Sequence, residues 1–105
     1  LERIAIDTRS AEWFPGISRG IAVLPLHAFG SERVSLVRWA PHTRFIPHEH
    51  AGGEEIFVLD GAVEDDEGRY APGSWLRNPP GSRHAPFRLE GCLLYVKIGH
   101  LPSVT

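Results

Sequence analysis

Residues 48–54 read His-Glu-His-Ala-Gly-Gly-Glu, and an apolar run from Ile56 to Leu59 and then Gly61 follow them. Side chains on a β-strand alternate between two faces, so the even-numbered His48, His50 and Glu54 can share a face with the aliphatic residues after them. A face that changes from polar donors to aliphatic side chains within one strand predicts a polar pocket above a hydrophobic interior.

The same three residues carry donor atoms that divalent transition metals prefer, namely imidazole nitrogen and carboxylate oxygen. A fourth donor, His84, follows the rigid turn sequence Asn-Pro-Pro-Gly at residues 78–81, which gives the segment after it a fixed direction. We therefore predict one metal ion held by His48, His50, Glu54 and His84. The glycines at 52 and 53 either form a plain bulge or let the backbone bend so that Glu54 returns to the ion.

The donor set also bears on the identity and purpose of the metal. Structural zinc sites depend on thiolates, and this set contains none, which favours a site with open coordination positions. Zn(II) and Fe(II) are the favoured ions, and Mn(II) and Ni(II) accept the same donors. The other three histidines, at 27, 42 and 100, are predicted to be solvent-exposed, and no separate acid–base pair stands out, so any catalysis would depend on the metal.

Composition limits the class of protein. The length of 105 residues predicts one domain, and the net charge of −2 from 11 basic and 13 acidic residues argues against a nucleic-acid partner. No stretch is long and apolar enough to cross a bilayer, which argues against a membrane partner. The single cysteine, Cys92, is predicted to be buried beside Leu93, and one cysteine cannot form an intrachain disulfide, so the expected location is the cytoplasm.

The spacing of turn residues predicts the fold class. Proline and glycine, at 9 and 11 residues, are spread along the chain between short β-branched and aromatic runs, and no helical apolar pattern is sustained. This is typical of an all-β sandwich or barrel. The predicted strands are Arg3–Asp7, Gly20–Leu26, Arg33–Ala40, Arg44–His48, Glu54–Leu59, Ala62–Glu64, Ser74–Asn78, Ala85–Leu89 and Cys92–Ile98.

Two segments resemble the conserved motifs of the cupin superfamily. Residues 41–61 resemble the first motif, with His48, His50, Glu54 and Gly61, although its usual leading glycine has no clear match. Residues 73–88 resemble the second motif, with Gly73, the Pro-Pro-Gly turn and His84. The resemblance implies one cupin domain over residues 1–105, a double-stranded β-helix (jelly-roll barrel) with the metal inside it.

More narrowly, residues 33–98 are similar to the cupin domain of ChrR-type anti-sigma factors and to stand-alone cupins related to it, some of them relatives of acetylacetone-cleaving dioxygenases. This implies a homodimer. Trp13, Phe14 and the run Ile21–Leu26 could form its apolar surface, or could equally close the barrel. The sigma-binding module of ChrR has its own cysteines, and with Cys92 as the single cysteine we do not expect that module here.

Three functions follow from the resemblance and the residues. The first is a metal-dependent enzyme, such as a dioxygenase acting on a small oxygenated substrate. The second is a non-catalytic domain of the ChrR type that senses a small molecule or an oxidant through the metal. The third, ranked last, is a metal that only stabilises the barrel. For the enzyme, an apolar wall is predicted from Phe45, Phe57, Trp75 and Tyr95, with Arg77 or Lys97 as an anchor for an anionic substrate.

Overall fold

Antiparallel β-strands form the fold in the computed structural model of the chain, which describes residues 1–43, 50–82 and 88–102. No helix occurs in those residues, so none of them belongs to a helix that could cross a membrane. The all-β prediction is therefore confirmed. The strands are β1 (Phe14–Pro15), β2 (Ile21–Phe29), β3 (Glu32–Trp39), β4 (Glu54–Asp65), β5 (Gly68–Tyr70), β6 (Trp75–Asn78) and β7 (Arg88–Ile98).

The strands form one sheet with the order β1-β2-β3-β7-β4-β5, and β6 pairs with β4. Strand β7 is central, because it pairs with β3 on one side and with β4 on the other. The first half of β4 lies between β7 and β6, with Glu54 opposite Ile98 on one side and Asn78 on the other. The start of β4 is therefore held from both sides.

The inner face of the sheet carries the hydrophobic core. In the first part of β4 the even-numbered residues are buried, with Glu54 6%, Ile56 7% and Val58 0% exposed, whereas Phe57 is 39% exposed on the opposite, outer face. The predicted alternation on this strand is thus confirmed from Glu54 onward. Each aliphatic side chain that is fully buried contributes roughly 1.5–3 kcal/mol to folding. Among the described residues, one buried hydrophobic cluster consists of Ile21, Trp39, Ile56, Val58, Val63, Cys92 and Leu94.

Two predicted strands, Glu54–Leu59 and Ala62–Glu64, are parts of the single strand β4. The pairing of β4 with β7 shifts register twice, between Val58 and Asp60 and between Gly61 and Val63. Gly61 has a φ of 72°, a left-handed conformation that glycine adopts without steric cost. The strand therefore bends at these shifts and continues, whereas the sequence pattern suggested that it stops.

The predicted strand Arg3–Asp7 is wrong. Residues 3–7 are not part of a strand and pair with none of the strands that the structure describes, and Asp7 begins a turn in which its carbonyl oxygen accepts hydrogen bonds from the amides of Ser10 and Ala11. The segment continues over the outer face of β3, where the Arg38 guanidinium lies 4.2 Å from the centre of the Trp13 ring. The predicted strand Arg44–His48 lies outside the described residues.

Cys92 is buried, as predicted, at a position of β7 that faces the core. Burial raises the pKa of its thiol to about 11, because the apolar surroundings disfavour the thiolate. The thiol is therefore neutral at physiological pH and packs as a small hydrophobic side chain.

Candidate metal centre

The turn between His50 and Glu54 brings these two side chains together. The amide of Gly53 donates a hydrogen bond to the carbonyl oxygen of His50 at 3.0 Å, and Gly53 has a φ of 73°. This turn leads the chain into β4 with Glu54 on the inner face. The result is a distance of 3.2 Å between His50 Nε2 and Glu54 Oε2.

This separation fits two ligands of one metal ion. With metal–ligand bonds of about 2.0–2.1 Å, neighbouring ligands lie about 2.8–3.0 Å apart around an octahedral ion and about 3.3–3.4 Å apart around a tetrahedral ion. The bond to Glu54 raises the pKa of His50, while partial burial of the ring opposes the increase. In the metal-free protein the pair therefore favours a proton between the two donors, at a position that a cation could take.

Glu54 is a buried carboxylate, and a buried charge is costly unless it is paired. One oxygen faces His50, and the other accepts a hydrogen bond from the Asn78 side-chain amide at 3.1 Å. Asn78 lies opposite Glu54 in the pairing of β4 with β6. Asn78 thus orients Glu54 in the manner of the outer partners that orient metal ligands.

The sequence analysis placed Asn78 at the end of a predicted strand and at the start of the Asn-Pro-Pro-Gly turn, and it missed the contact of Asn78 with Glu54. The sequence does contain an indication of this role, because the predicted strand Ser74–Asn78 ends directly before the Pro-Pro-Gly sequence. A short polar side chain at the end of a strand next to a carboxylate-bearing strand is a candidate for such a role. Only the register of β4 with β6 identifies its partner.

Two of the four predicted ligands are brought together, and the other two, His48 and His84, lie outside the described residues, as does Phe45. Within residues 1–43, 50–82 and 88–102, no group of three or more histidine, cysteine, aspartate or glutamate side chains is close enough to hold a metal. The full set of four ligands therefore stays a prediction. His27 and His42 are exposed, as predicted, but His100 is not, since its side chain is only 12% exposed.

The other predicted substrate residues are on the outer face of the sheet. Trp75, Phe57 and Tyr95 form a row across β6, β4 and β7, and Arg77 bonds to the Glu55 carboxylate at 2.6 and 2.7 Å. This face is opposite the side chain of Glu54, so a role as a wall of the metal pocket does not fit their placement. The three aromatic residues, but not Arg77, line an open cavity of about 400 Å³. Its lining residues are Glu55, Ile56, Phe57, Leu59, Trp75, Tyr95 and Lys97.

Apolar residues of the inner face surround the start of β4 instead. Ile56 follows Glu54 on this face, and Leu76 lies opposite Ile56 on β6, while Val96 lies opposite it on β7. Leu76 and Val96 both pack against the core. The His50–Glu54 pair therefore lies at the edge of an apolar interior, which strengthens electrostatic interactions there.

An asparagine-to-alanine change tests the role of Asn78. We expect Asn78→Ala to weaken the binding of Zn(II) roughly 10–100-fold, the usual cost of losing an outer partner of a metal ligand. Affinity is measured by competition with a chromophoric chelator. Trp75→Leu, on the same strand but on the outer face, is the matched control and should bind zinc as the wild type does. Equal affinity in all three proteins would contradict the role given to Asn78.

The comparisons with known proteins agree with this architecture. The sequence profile of the ChrR cupin-like domain matches residues 1–102, whereas no curated protein matches the chain. The structure is similar to the anti-sigma factor ChrR in its complex with SigE from Rhodobacter sphaeroides, with 20% identity and a TM-score of 0.74. That similarity covers 88% of this chain and 50% of the other, so the chain spans half the length of ChrR.

Two further structures share the fold. An acetylacetone dioxygenase from Acinetobacter johnsonii is 21% identical with a TM-score of 0.75, covering 93% of this chain and 73% of the other. An RmlC-like cupin from Shewanella frigidimarina is 17% identical with a TM-score of 0.77, covering 93% and 90%. At these identities the similarity establishes the fold, and the predicted cupin fold is confirmed. Because the profile match spans nearly the whole sequence, the chain belongs to the ChrR cupin-like domain family.

Proposed function

We propose that this domain binds one divalent transition metal on the inner face of its sheet through His48, His50, Glu54 and His84. The observation that carries the proposal is the 3.2 Å contact of His50 Nε2 with the buried Glu54 carboxylate, whose other oxygen is held by Asn78. A buried carboxylate paired with an imidazole is costly as a purely structural device and suits a cation. Zn(II) and Fe(II) are the preferred occupants, and Mn(II) and Ni(II) accept the same donors.

The activity that we propose for the site is metal-dependent oxygenation of a small oxygenated substrate. The support is the shared fold with the Acinetobacter acetylacetone dioxygenase and the partial exposure of His50, whose side chain is 26% exposed and so can be reached from solvent. When bound, a redox-active metal supplies Lewis-acid and electron-transfer chemistry. The protein's own residues hold the donors in place and provide the apolar surroundings of Ile56, Leu76 and Val96.

Metal analysis and oxygen uptake test this proposal. Protein purified without added metal is analysed for its metal content, and protein loaded with Fe(II) is mixed with acetylacetone under air. We expect about one metal per chain and substrate-dependent oxygen consumption, with Zn(II)-loaded protein inactive as the control. The absence of bound metal would overturn the metal site. Bound iron without oxygen uptake on diketones, flavonols or thiols would overturn the oxygenase.

A second candidate is a sensing domain of the ChrR type, which the family match over residues 1–102 favours. In this role the metal would bind a small molecule or react with an oxidant, and no product would be released. Iron-loaded protein whose absorption changes with peroxide or with an added ligand, without catalytic turnover, would support sensing over oxygenation. A metal that only stabilises the fold would show neither response.

The homodimer and the cytoplasmic location remain predictions that belong to this proposal. Of the apolar residues expected at a dimer surface, Ile21 and Leu24 are buried in the domain and Trp13 packs on Arg38, whereas Phe14 is exposed. Any dimer contact in this region would therefore centre on Phe14 and on the exposed Ile17 after it. An exposed apolar edge of this kind suits a contact with a second copy.

A further inference from the structure

The three residues after β7 lie directly on the turn between His50 and Glu54, and we call Gly99–Leu101 the clasp. The amide of Leu101 donates a hydrogen bond to the carbonyl oxygen of Gly52 at 2.9 Å, and the amide of Gly99 donates one to that of Gly53 at 3.2 Å. The clasp thus adds two backbone hydrogen bonds to the one that the turn makes internally, from the Gly53 amide to the His50 carbonyl oxygen. The turn and the clasp form one hydrogen-bonded unit.

The contact between the clasp and the turn is close enough to require glycine. A Cβ atom on Gly52 would lie 2.4 Å from Gly99 Cα, and one on Gly53 would lie 2.7 Å from a methyl group of Leu101. Ser31, in the turn between β2 and β3, donates its hydroxyl to the carbonyl oxygen of Gly99 at 2.6 Å. The clasp is therefore anchored on one side to that turn and on the other to the turn that carries His50.

His100 supplies the only side chain of the clasp that reaches a charged partner among the described residues. Its Nε2 lies 2.5 Å from Glu55 Oε1, and the second oxygen of Glu55 accepts hydrogen bonds from Arg77. The side chains of His100 and Glu55 are only 12% and 15% exposed, so water competes weakly for this contact. Glu55 directly follows Glu54 on β4 but faces the outer side of the sheet.

We propose that His100 is a positioning residue for the metal site, because its bond to Glu55 closes the clasp over the Gly52-Gly53 turn and fixes His50 relative to Glu54. The proposal rests on the proposed metal function. Metal affinity depends on ligands that are held in place before the ion arrives, and residues that orient ligands indirectly affect affinity strongly. Without His100, the clasp keeps its two backbone hydrogen bonds to the turn but loses its side-chain bond to β4, and the distance between the two donors is less restricted.

The test compares four variants of the whole chain. Zn(II) affinity is measured by chelator competition, and hydrogen exchange of the Gly99 and Leu101 amides is measured in metal-free protein. We expect His100→Ala to weaken zinc binding roughly 10-fold or more, in the range known for indirect partners of metal ligands, and to speed exchange of both amides. His100→Gln should recover both properties, because its amide can donate to Glu55. His100→Phe keeps the ring volume without the donor and should resemble His100→Ala.

His27→Ala is the matched control, since it removes an exposed imidazole from β2 and should change neither measurement. If His100→Ala fails to fold, His100→Phe provides the same comparison. Faster amide exchange with unchanged zinc affinity would overturn the proposal and leave His100 a structural residue. If the wild type binds no metal, the proposed function is overturned. If the wild type and the His100 variants bind zinc equally, only the role of His100 is overturned.

Discussion

Replacement of His50 by alanine is expected to weaken Zn(II) binding by at least ~100-fold, more than the loss of an indirect partner usually costs. His50 Nε2 is one of the two donors that the structure brings within 3.2 Å, and its removal leaves Glu54 buried without that partner. Isothermal titration with Zn(II), or chelator competition for tight binding, measures the change. His27→Ala controls for the removal of an imidazole.

The same zinc titration at several pH values provides a second test of the role of His50. A proton and a metal compete for His50, and the bond to Glu54 raises the pKa of His50 above its ordinary value. The proton therefore begins to compete with zinc at a higher pH than it would at a free imidazole. As the pH is lowered, zinc affinity should begin to fall before the pH reaches ~6.5, the ordinary pKa of histidine, and should continue to fall below it. In His50→Ala this part of the pH dependence should disappear. Full zinc occupancy in His50→Ala would remove His50 from the site.

Replacement of Gly61 by alanine is expected to destabilise the fold by roughly 3 kcal/mol or more, near the upper end of effects for single substitutions. A Cβ atom on Gly61 would lie within 2 Å of the carbonyl oxygen of Gly91 and 2.8 Å from Cys92 Cα, and both are backbone atoms that cannot rotate away. The φ of 72° adds a conformational penalty for any residue with a Cβ. Urea unfolding of the metal-free protein measures the free energy of unfolding without a contribution from bound ligand.

Gly30→Ala separates the two causes. Gly30 also has a left-handed φ, of 57°, but no atom lies within 4 Å of its virtual Cβ. It should therefore lose only the conformational part, about 1–2 kcal/mol. An equal loss in both variants would contradict the close contact between Gly61 and the backbone of β7.

Several parts of the fold and of the site could be predicted from sequence because they depend on local periodicity. The alternation of Glu54, Ile56 and Val58 identified the inner face of β4, and the glycines at 52 and 53 indicated a bend before it. The close pairing of His50 with Glu54 follows from that bend. Local pattern was misleading at Arg3–Asp7, where alternation is present but the segment pairs with none of the described strands.

What could not be predicted depends on contacts between residues distant in sequence. Asn78 contacts Glu54 because β6 pairs with β4, and His100 contacts Glu55 because the segment after β7 lies beside the start of β4. Strand order is not encoded in local periodicity, so neither contact could be predicted. His100, close to the end of the chain, therefore seemed exposed. The aromatic residues Phe57, Trp75 and Tyr95 were assigned by residue type, whereas register places all three on the outer face.

The opposite orientation of Glu54 and Glu55 restricts how this segment can evolve. A one-residue shift of β4 against β6 and β7, as an insertion or deletion directly before Glu54 would cause, exchanges the two sides of the strand, sending Glu54 outward and turning Phe57 inward. Such a change would lose the carboxylate from the interior and the partner of His100 in one step. Substitutions at positions 54–58 are therefore tolerated more easily than insertions or deletions there. Mutant libraries of this segment should vary residue type and keep its length constant.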